Sequence, residues 1–408
     1  MLIEIHILEN YAPSNLNRDE NNNPKTAIFG GVQRARISSQ CLKRNIRVSP
    51  EFKQILAGIP LGIASRTLPE LVRAELNRRK VSPQLAEIAA QKVAAFGTTS
   101  QSPSKEEDPE NSETESNEET EDITQKHITK QRIFFTDQEV VLNADVFCDA
   151  INHPENYITP KTAKKNAKEK IDPNLEATDL KLLQTKIKSV KKLKPYLTPD
   201  IALLGRMTTS DAFPDVKAAL QVAHAISTNP IELEFDYFSA IDDLDTKGFA
   251  MAGHIPYNSA CFYKYFSIDT DQLRVNLNPH FKTNLKEILK LSIKACLKAI
   301  IYTNPSGKQN AFAAFSLPDA ILIEIRPKKG SLSYANAFSN PIEASGKLIE
   351  NSIATLIKHA DELTKCFSLE TIHRLWFTTS VGQGLPPPSN ASKYENVNDL
   401  LEVILSYF

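Results

Sequence analysis

HILENYAPSNLNRDENNNPKTAIFGGVQRARISSQCLKRNIR, residues 6–47, decides how the rest of the chain is read. It begins inside a strand over residues 2–8 and then crosses a polar loop, dense in Asn and Pro, that suits neither helix nor strand. A strand or hairpin follows around Gly30-Gly31, and from Ser38 or Ser39 the pattern is helical. On that helix Gln40, Lys43, Arg44 and Arg47 share one face at i, i+3, i+4 and i+7. Cys41, Leu42 and Ile46 share the other and can pack on a sheet. Residues 25–47 carry six basic residues and no acid. An ordinary surface helix mixes signs, so this face reads as a polyanion contact. The helix start adds free N–H groups, two serine hydroxyls and the positive dipole end, which suit a phosphate. Cations one turn further would meet the next phosphate of a bound strand. Arg18 and Lys25 bracket the polar loop beside the same surface. Gly30-Gly31 lacks P-loop or dinucleotide spacing, which excludes a nucleotide-binding reading.

The remaining chain fits an α+β protein. At 408 residues it can bury a real core, in two or three domains or in one domain with large insertions. Its net charge of −1 hides strong segregation. Residues 104–122 hold ten acids and one lysine, and residues 161–194 hold eleven lysines and four acids. Residues 98–126 have almost nothing apolar and read as disordered. Helical spacing covers residues 66–96 and resumes near Thr136 as far as about Thr198, with Ala218–Ser227 as a further helix. IELEFDYFSAIDDL (231–244) and NSACFYKYFSI (258–268) read as strands joined by a mobile loop. A helix over about 282–301, a buried strand at Ala320–Ile325, a helix near 340–364 and a short C-terminal helix complete the order. A ferredoxin-like (RRM-like) sheet interrupted by a helical insertion fits it.

Chemistry-bearing constellations are weak. Asp19-Glu20 and Asp242-Asp243 read as turn or capping pairs rather than metal ligands. The eight histidines form no ligand pair, and no Ser-His-Asp or Cys-His set can be assembled. No catalysis, metal or cofactor is expected. Five widely spaced cysteines read as buried free thiols in a reducing compartment. No apolar run approaches the roughly 20 residues of a membrane span, and the N-terminus alternates like a strand rather than a leader, so a cytoplasmic protein is expected. In 231–240 parity puts Ile231, Leu233, Phe235 and Tyr237 on one face, with Phe238 on the acidic one, where it can act as a wedge. Met207, after Gly205-Arg206, is a second candidate apolar contact.

The 6–47 block closely resembles the N-terminus of the CasC (Cse-type) CRISPR RNA-binding backbone subunits of the subtype I-E Cascade complex. DIALLG before Arg206-Met207, HAIST (224–228), DYFSAIDDL (236–244), SACFYKY (259–265) and SYANAFSNP (333–341) extend the resemblance almost to the C-terminus. The acidic 98–126 tract and the lysine-dense stretch depart from it. The resemblance implies a ferredoxin-like palm, a large helical fingers insertion and a thumb β-hairpin. It divides the chain into palm (1–50), fingers (51–200), palm (201–230), thumb (231–262) and the palm remainder with C-terminal helices (263–408). It implies RNA contacts by Arg18, Lys25, Ser38, Gln40, Lys43, Arg44 and Arg47. Arg206, Met207, Tyr237 and Phe238 are implied at the thumb contact, and Lys308 and Gln309 in a further RNA-facing loop. The implied partners are a CRISPR guide RNA, target DNA, copies of the same chain and the other Cascade subunits, with a helicase-nuclease recruited separately. A metal-dependent RNase using Asp19, as in backbone subunits of type III complexes, is the alternative.

Overall fold

The computed structural model describes residues 1–96, 127–158, 175–191, 197–208, 210–241, 249–327, 330–343 and 346–408. The acidic tract and much of the lysine-rich stretch, with Asp242-Asp243, lie outside the described residues. The first strand is β1 (Leu2–Ser14), whose residues alternate between two buried faces. Next come β2 (Thr26–Phe29) and β3 (Val32–Ile37), then the short strands β4 (Ile63–Ser65) and β5 (Ile133–Phe135). After the helical region follow β6 (Leu220–Val222), β7 (Ala225–Ser227), β8 (Glu234–Ile241) and β9 (Phe249–Asp269). The last three are β10 (Ala320–Arg326), β11 (His373–Thr378) and β12 (Ala391–Tyr394).

Ten strands form one mixed sheet in the order β12-β11-β10-β1-β9-β7-β3-β2, with β6 and β8 also pairing with β9. β1 pairs antiparallel with both β9 and β10. Its odd positions Ile3, Ile5 and Ile7 point into a core with helices Ser39–Val48, Leu285–Tyr302 and Val397–Leu405. Leu8, with Tyr263 and Tyr265 of β9, points into a second layer under the helix Leu348–Cys366. A separate core runs from Leu68 to Ile187 and takes in Ala212 and Phe213. Helix Asp137–Asn152 within it starts on a reciprocal capping box between Thr136 and Glu139.

Several expectations change. Ala218–Ser227 is not a helix; its two short strands are stabilised by pairing with β9, a non-local contact that overrides local helical spacing. The segment 249–257, expected to be a loop, extends β9 and pairs with β8. That pairing ends at Tyr257, and residues 258–269 lie beside β1. Residues 258–262, read with the thumb, therefore pair with β1 and not with β8. Phe52 and Leu56, which the resemblance assigns to the fingers, pack in the main core. Cys261 and Cys296 are buried as expected, but Cys366 is exposed. Among the described residues no helix is long and apolar enough to cross a membrane.

The second face of the sheet buries a charged cluster. Arg326 pairs with Glu4 at 2.7 Å, and Arg374 reaches Glu324 at 2.7 Å and Asp361 at 2.8 Å. His6 bonds the Tyr263 hydroxyl through Nδ1 (2.8 Å) and stacks on Tyr334 with ring centroids 4.3 Å apart. Burial holds its imidazole neutral, with the pKa down at about 3. Unfolding releases a histidine that takes a proton near its ordinary pKa, so acid favours the unfolded chain. The stability this group contributes is whole above about pH 6.5 and is lost as pH falls towards 3. Thermal melts from pH 7 to pH 4 should show a steadily falling midpoint, and a His6→Phe variant a shallower fall over that range. Equal slopes for the two proteins would show that His6 does not carry the effect.

Candidate nucleic-acid interface

The helix Ser39–Val48 forms as its sequence indicates. Ser38 is the N-cap, accepting from the Cys41 N–H at 3.3 Å, and Leu42, Asn45 and Ile46 are buried. Gln40 and Arg44 are exposed and Lys43 and Arg47 half-buried, so the polar face is the outer one. Burial pulls the Lys43 and Arg47 pKa values down, the signature of cations held partly out of water without a full set of counter-charges. No acid occupies the first turn of the helix.

The loop 15–25 is fastened to this helix. The Ser38 N–H donates to Asn17 Oδ1 at 2.8 Å, the Lys25 N–H to the Asn17 carbonyl at 2.8 Å, and the Arg36 N–H to the Lys25 carbonyl at 2.9 Å. Asn15 Nδ2 donates to the carbonyls of Asn22 and of Pro256 on β9, each at 3.0 Å. Arg18 and Lys25, both half-buried, are thereby set beside the helix start. A third segment joins them. A Cβ on Gly307 would lie 2.3 Å from the Leu16 carbonyl oxygen, so only glycine allows this close approach. It seats exposed Lys308 and half-buried Gln309 against the same loop. Phe312 and Tyr257 of β9, rings 5.8 Å apart, tie this segment to the base of the β8–β9 hairpin.

Three sequence readings need correction. Arg206, expected at the RNA contact, is buried: its guanidinium pairs with Glu139 at 2.9 Å and donates to the Phe134 and Pro214 carbonyls. The backbone bridge to Val216 turns Arg206 inward and Met207 outward, leaving Met207 94% exposed. Ser38 is buried and its hydroxyl serves the cap, so it supports the helix start rather than offering a free hydroxyl. The six-cation surplus also shrinks. Arg34 is wholly buried and donates to the Ser227, Thr228 and Phe338 carbonyls, and Arg36 bonds the Thr26 carbonyl and His224. Lys25, Lys43, Arg44 and Arg47 remain at the surface, and Arg47 also lies over the Phe134 ring at 5.2 Å.

On the hairpin, Phe238 faces Gly253, where a Cβ would lie 2.6 Å from the ring tip. Tyr237 is 57% exposed beside the His254 ring, and Phe235 on the same face is also exposed. The apolar face of the strand is therefore open at these two residues. Asp19 holds its own loop: its Oδ1 accepts from the N–H groups of Asn21 and Asn23, each at 2.9 Å. Among the described residues no three His, Cys, Asp or Glu side chains converge on a common metal position.

Chains in solved RNA-guided complexes share this fold. One chain of a CRISPR RNA-guided surveillance complex, pre-nicking, matches with a TM-score of 0.73 and 23% identity, covering 100% of both chains. A chain of another CRISPR RNA-guided surveillance complex matches with a TM-score of 0.66 and 20% identity, again over 100% of both. The chain belongs to the CT1975-like protein family, which it matches over residues 3–403. No curated protein matches it.

Proposed function

We propose that this protein is a non-catalytic backbone subunit of a CRISPR surveillance complex, of the subtype I-E kind, and that several copies line one guide RNA in the cytoplasm. The observation that carries the reading is convergence. Hydrogen bonds fasten the loop with Arg18 and Lys25 to the helix that carries Gln40, Lys43, Arg44 and Arg47, and the close approach of Gly307 to Leu16 sets the Lys308-Gln309 segment against the same loop. Such a surface meets successive phosphates and reads no base. The strand order β10-β1-β9-β7, with helices Ser39–Val48 and Leu285–Tyr302 on one side, supports a ferredoxin-like palm. The β8–β9 hairpin is its thumb and the second core its fingers. On this reading Phe238, Tyr237 and Met207 press on a nucleotide or a neighbouring copy. Base pairing between guide and target DNA supplies specificity, the other Cascade subunits complete the particle, and a separate helicase-nuclease cuts.

The RNase alternative is disfavoured because Asp19 spends an oxygen on its own turn, where a metal-dependent nuclease needs several carboxylates around its ions. Purification from cells carrying a CRISPR array tests both readings. The protein is expected to retain RNA of uniform, repeat-derived length and to leave it intact on incubation with Mg²⁺ or Mn²⁺. Recovery free of RNA would defeat the scaffold reading. RNA cleavage lost in Asp19→Asn would establish the nuclease.

A further inference from the structure

The segment 303–318 carries two large apolar side chains held out in solvent, Phe315 at 65% and Leu317 at 60% exposure. Isolated apolar residues on a surface are common and need no explanation. This segment differs because its backbone is fixed from beneath while those side chains stay out. The buried Tyr11 hydroxyl bonds Asn304 Oδ1, and Asn304 Nδ2 donates to the Ser316 carbonyl at 2.7 Å, next to Phe315. Lys264 Nζ, itself paired with Glu9 at 2.7 Å, donates to the same Tyr11 hydroxyl at 2.8 Å. On the other side Gly307 is locked over Leu16. Lys308 and Ala313, both non-glycine residues with positive φ (50° and 48°), bound the turn between these anchors. The chain thus stabilises a left-handed entry and exit on a segment whose outermost ring touches little of its own protein.

We infer that Phe315 is a base-stacking residue, which takes the face of one unpaired nucleobase of the strand whose phosphates lie on the helix Ser39–Val48. The inference rests on the proposed function and deepens it. Three features favour a nucleobase. The ring is on the segment that presents Lys308, and that segment is seated on the loop of Arg18 and Lys25. A cation and an exposed aromatic carried on one segment are the combination that holds single strands without regard to sequence. The anchored backbone lowers the cost of ordering this segment on binding. Unlike Phe238, which lies over Gly253 within the hairpin, Phe315 has an open face.

The test compares Phe315→Ala, Phe315→Leu and Phe315→Trp for binding to an unstructured, fluorescein-labelled single-stranded RNA and to an abasic strand of the same length. Phe315→Ala should weaken RNA binding roughly 5- to 100-fold, with an unchanged dependence on salt because no phosphate contact is lost. Phe315→Trp should bind at least as well as wild type, and Phe315→Leu should stay weak. On the abasic strand wild type and Phe315→Ala should bind alike. Wild-type affinity in Phe315→Ala overturns the inference. So does full affinity in Phe315→Leu, which would mean apolar packing against another protein surface. A Lys43→Glu/Arg44→Glu control separates the two failures. If it loses RNA while Phe315→Ala does not, only the stacking role falls; if it keeps RNA, the proposed interface falls with it.

Discussion

Lys43→Glu combined with Arg44→Glu is expected to strip the purified protein of RNA. Both side chains lie on the outer face of a helix whose inner face, Leu42 and Ile46, is packed in the main core. Reversing them therefore removes two cations without opening that core. A hydrogen bond to a charged group contributes about 1.5–3 kcal/mol, so losing two lowers affinity roughly a hundredfold or more before repulsion is added. The log–log salt slope should fall by about 1.4, at about 0.7 per single-strand phosphate. Arg47 is left in place on purpose. It lies over Phe134 and faces Asp200, whose carboxylate accepts from the Gly62 N–H at 3.0 Å, so its removal would disturb the join between the two cores. Filter binding across a salt series and a thermal melt decide the matter. Retention of wild-type affinity and slope by a folded variant would move the grip elsewhere.

The second large effect is on stability. Arg206→Met should destabilise the protein by about 3–5 kcal/mol, the cost of leaving one partner of a buried ion pair without the other. The side chains of Arg206 and Glu139 are 1% and 0% exposed, so solvent cannot take over the lost contact. Glu139 also accepts from the Thr136 N–H in the capping box. Glu139→Gln keeps an oxygen for that cap while removing the stranded charge, and the Arg206→Met/Glu139→Gln double variant should recover a substantial part of the loss. Urea unfolding measures both. The salt slope of RNA binding should not change in the folded fraction of either variant. A slope reduced by about 0.7 in Arg206→Met would restore Arg206 as a phosphate contact.

What the sequence made legible was local. The helix Ser39–Val48 announces itself through a serine cap and two distinct faces, and both signals lie within ten residues. The strands β1 and β10 are apolar runs of the right length and appear where expected. Contacts distant in sequence were not legible. Ala218–Ser227 carries helical spacing, and only β9, some forty residues on, makes it two strands. Residues 249–257 include Gly253 and Pro256, both poor strand formers, yet pairing with β8 extends the strand through them. β11 and β12 were missed, and they depend on β10 for a place at the sheet edge. Within the interface, charge type was legible but direction was not. Arg34 and Arg206 look like any other cation in the sequence, and both turn inward to serve carbonyls or a buried acid. Phe315 gave no signal, since its exposure depends on Tyr11 and Asn304 holding the segment from below.

The stack of Tyr334 on His6 has a consequence for what a bound strand can say. In RNA readers with an open four-stranded sheet, aromatic rings on the sheet face take bases by stacking. Here His6, Tyr263 and Tyr265 stand on the paired strands β1 and β9, but Tyr334 lies over His6 and the Leu348–Cys366 helix seals the layer. The page on which such a fold would read letters is already covered by the protein's own ring. On the proposed function, a guide held here keeps its Watson–Crick edges unspoken for, and its text stays open to the one reader able to check it in full, a complementary strand.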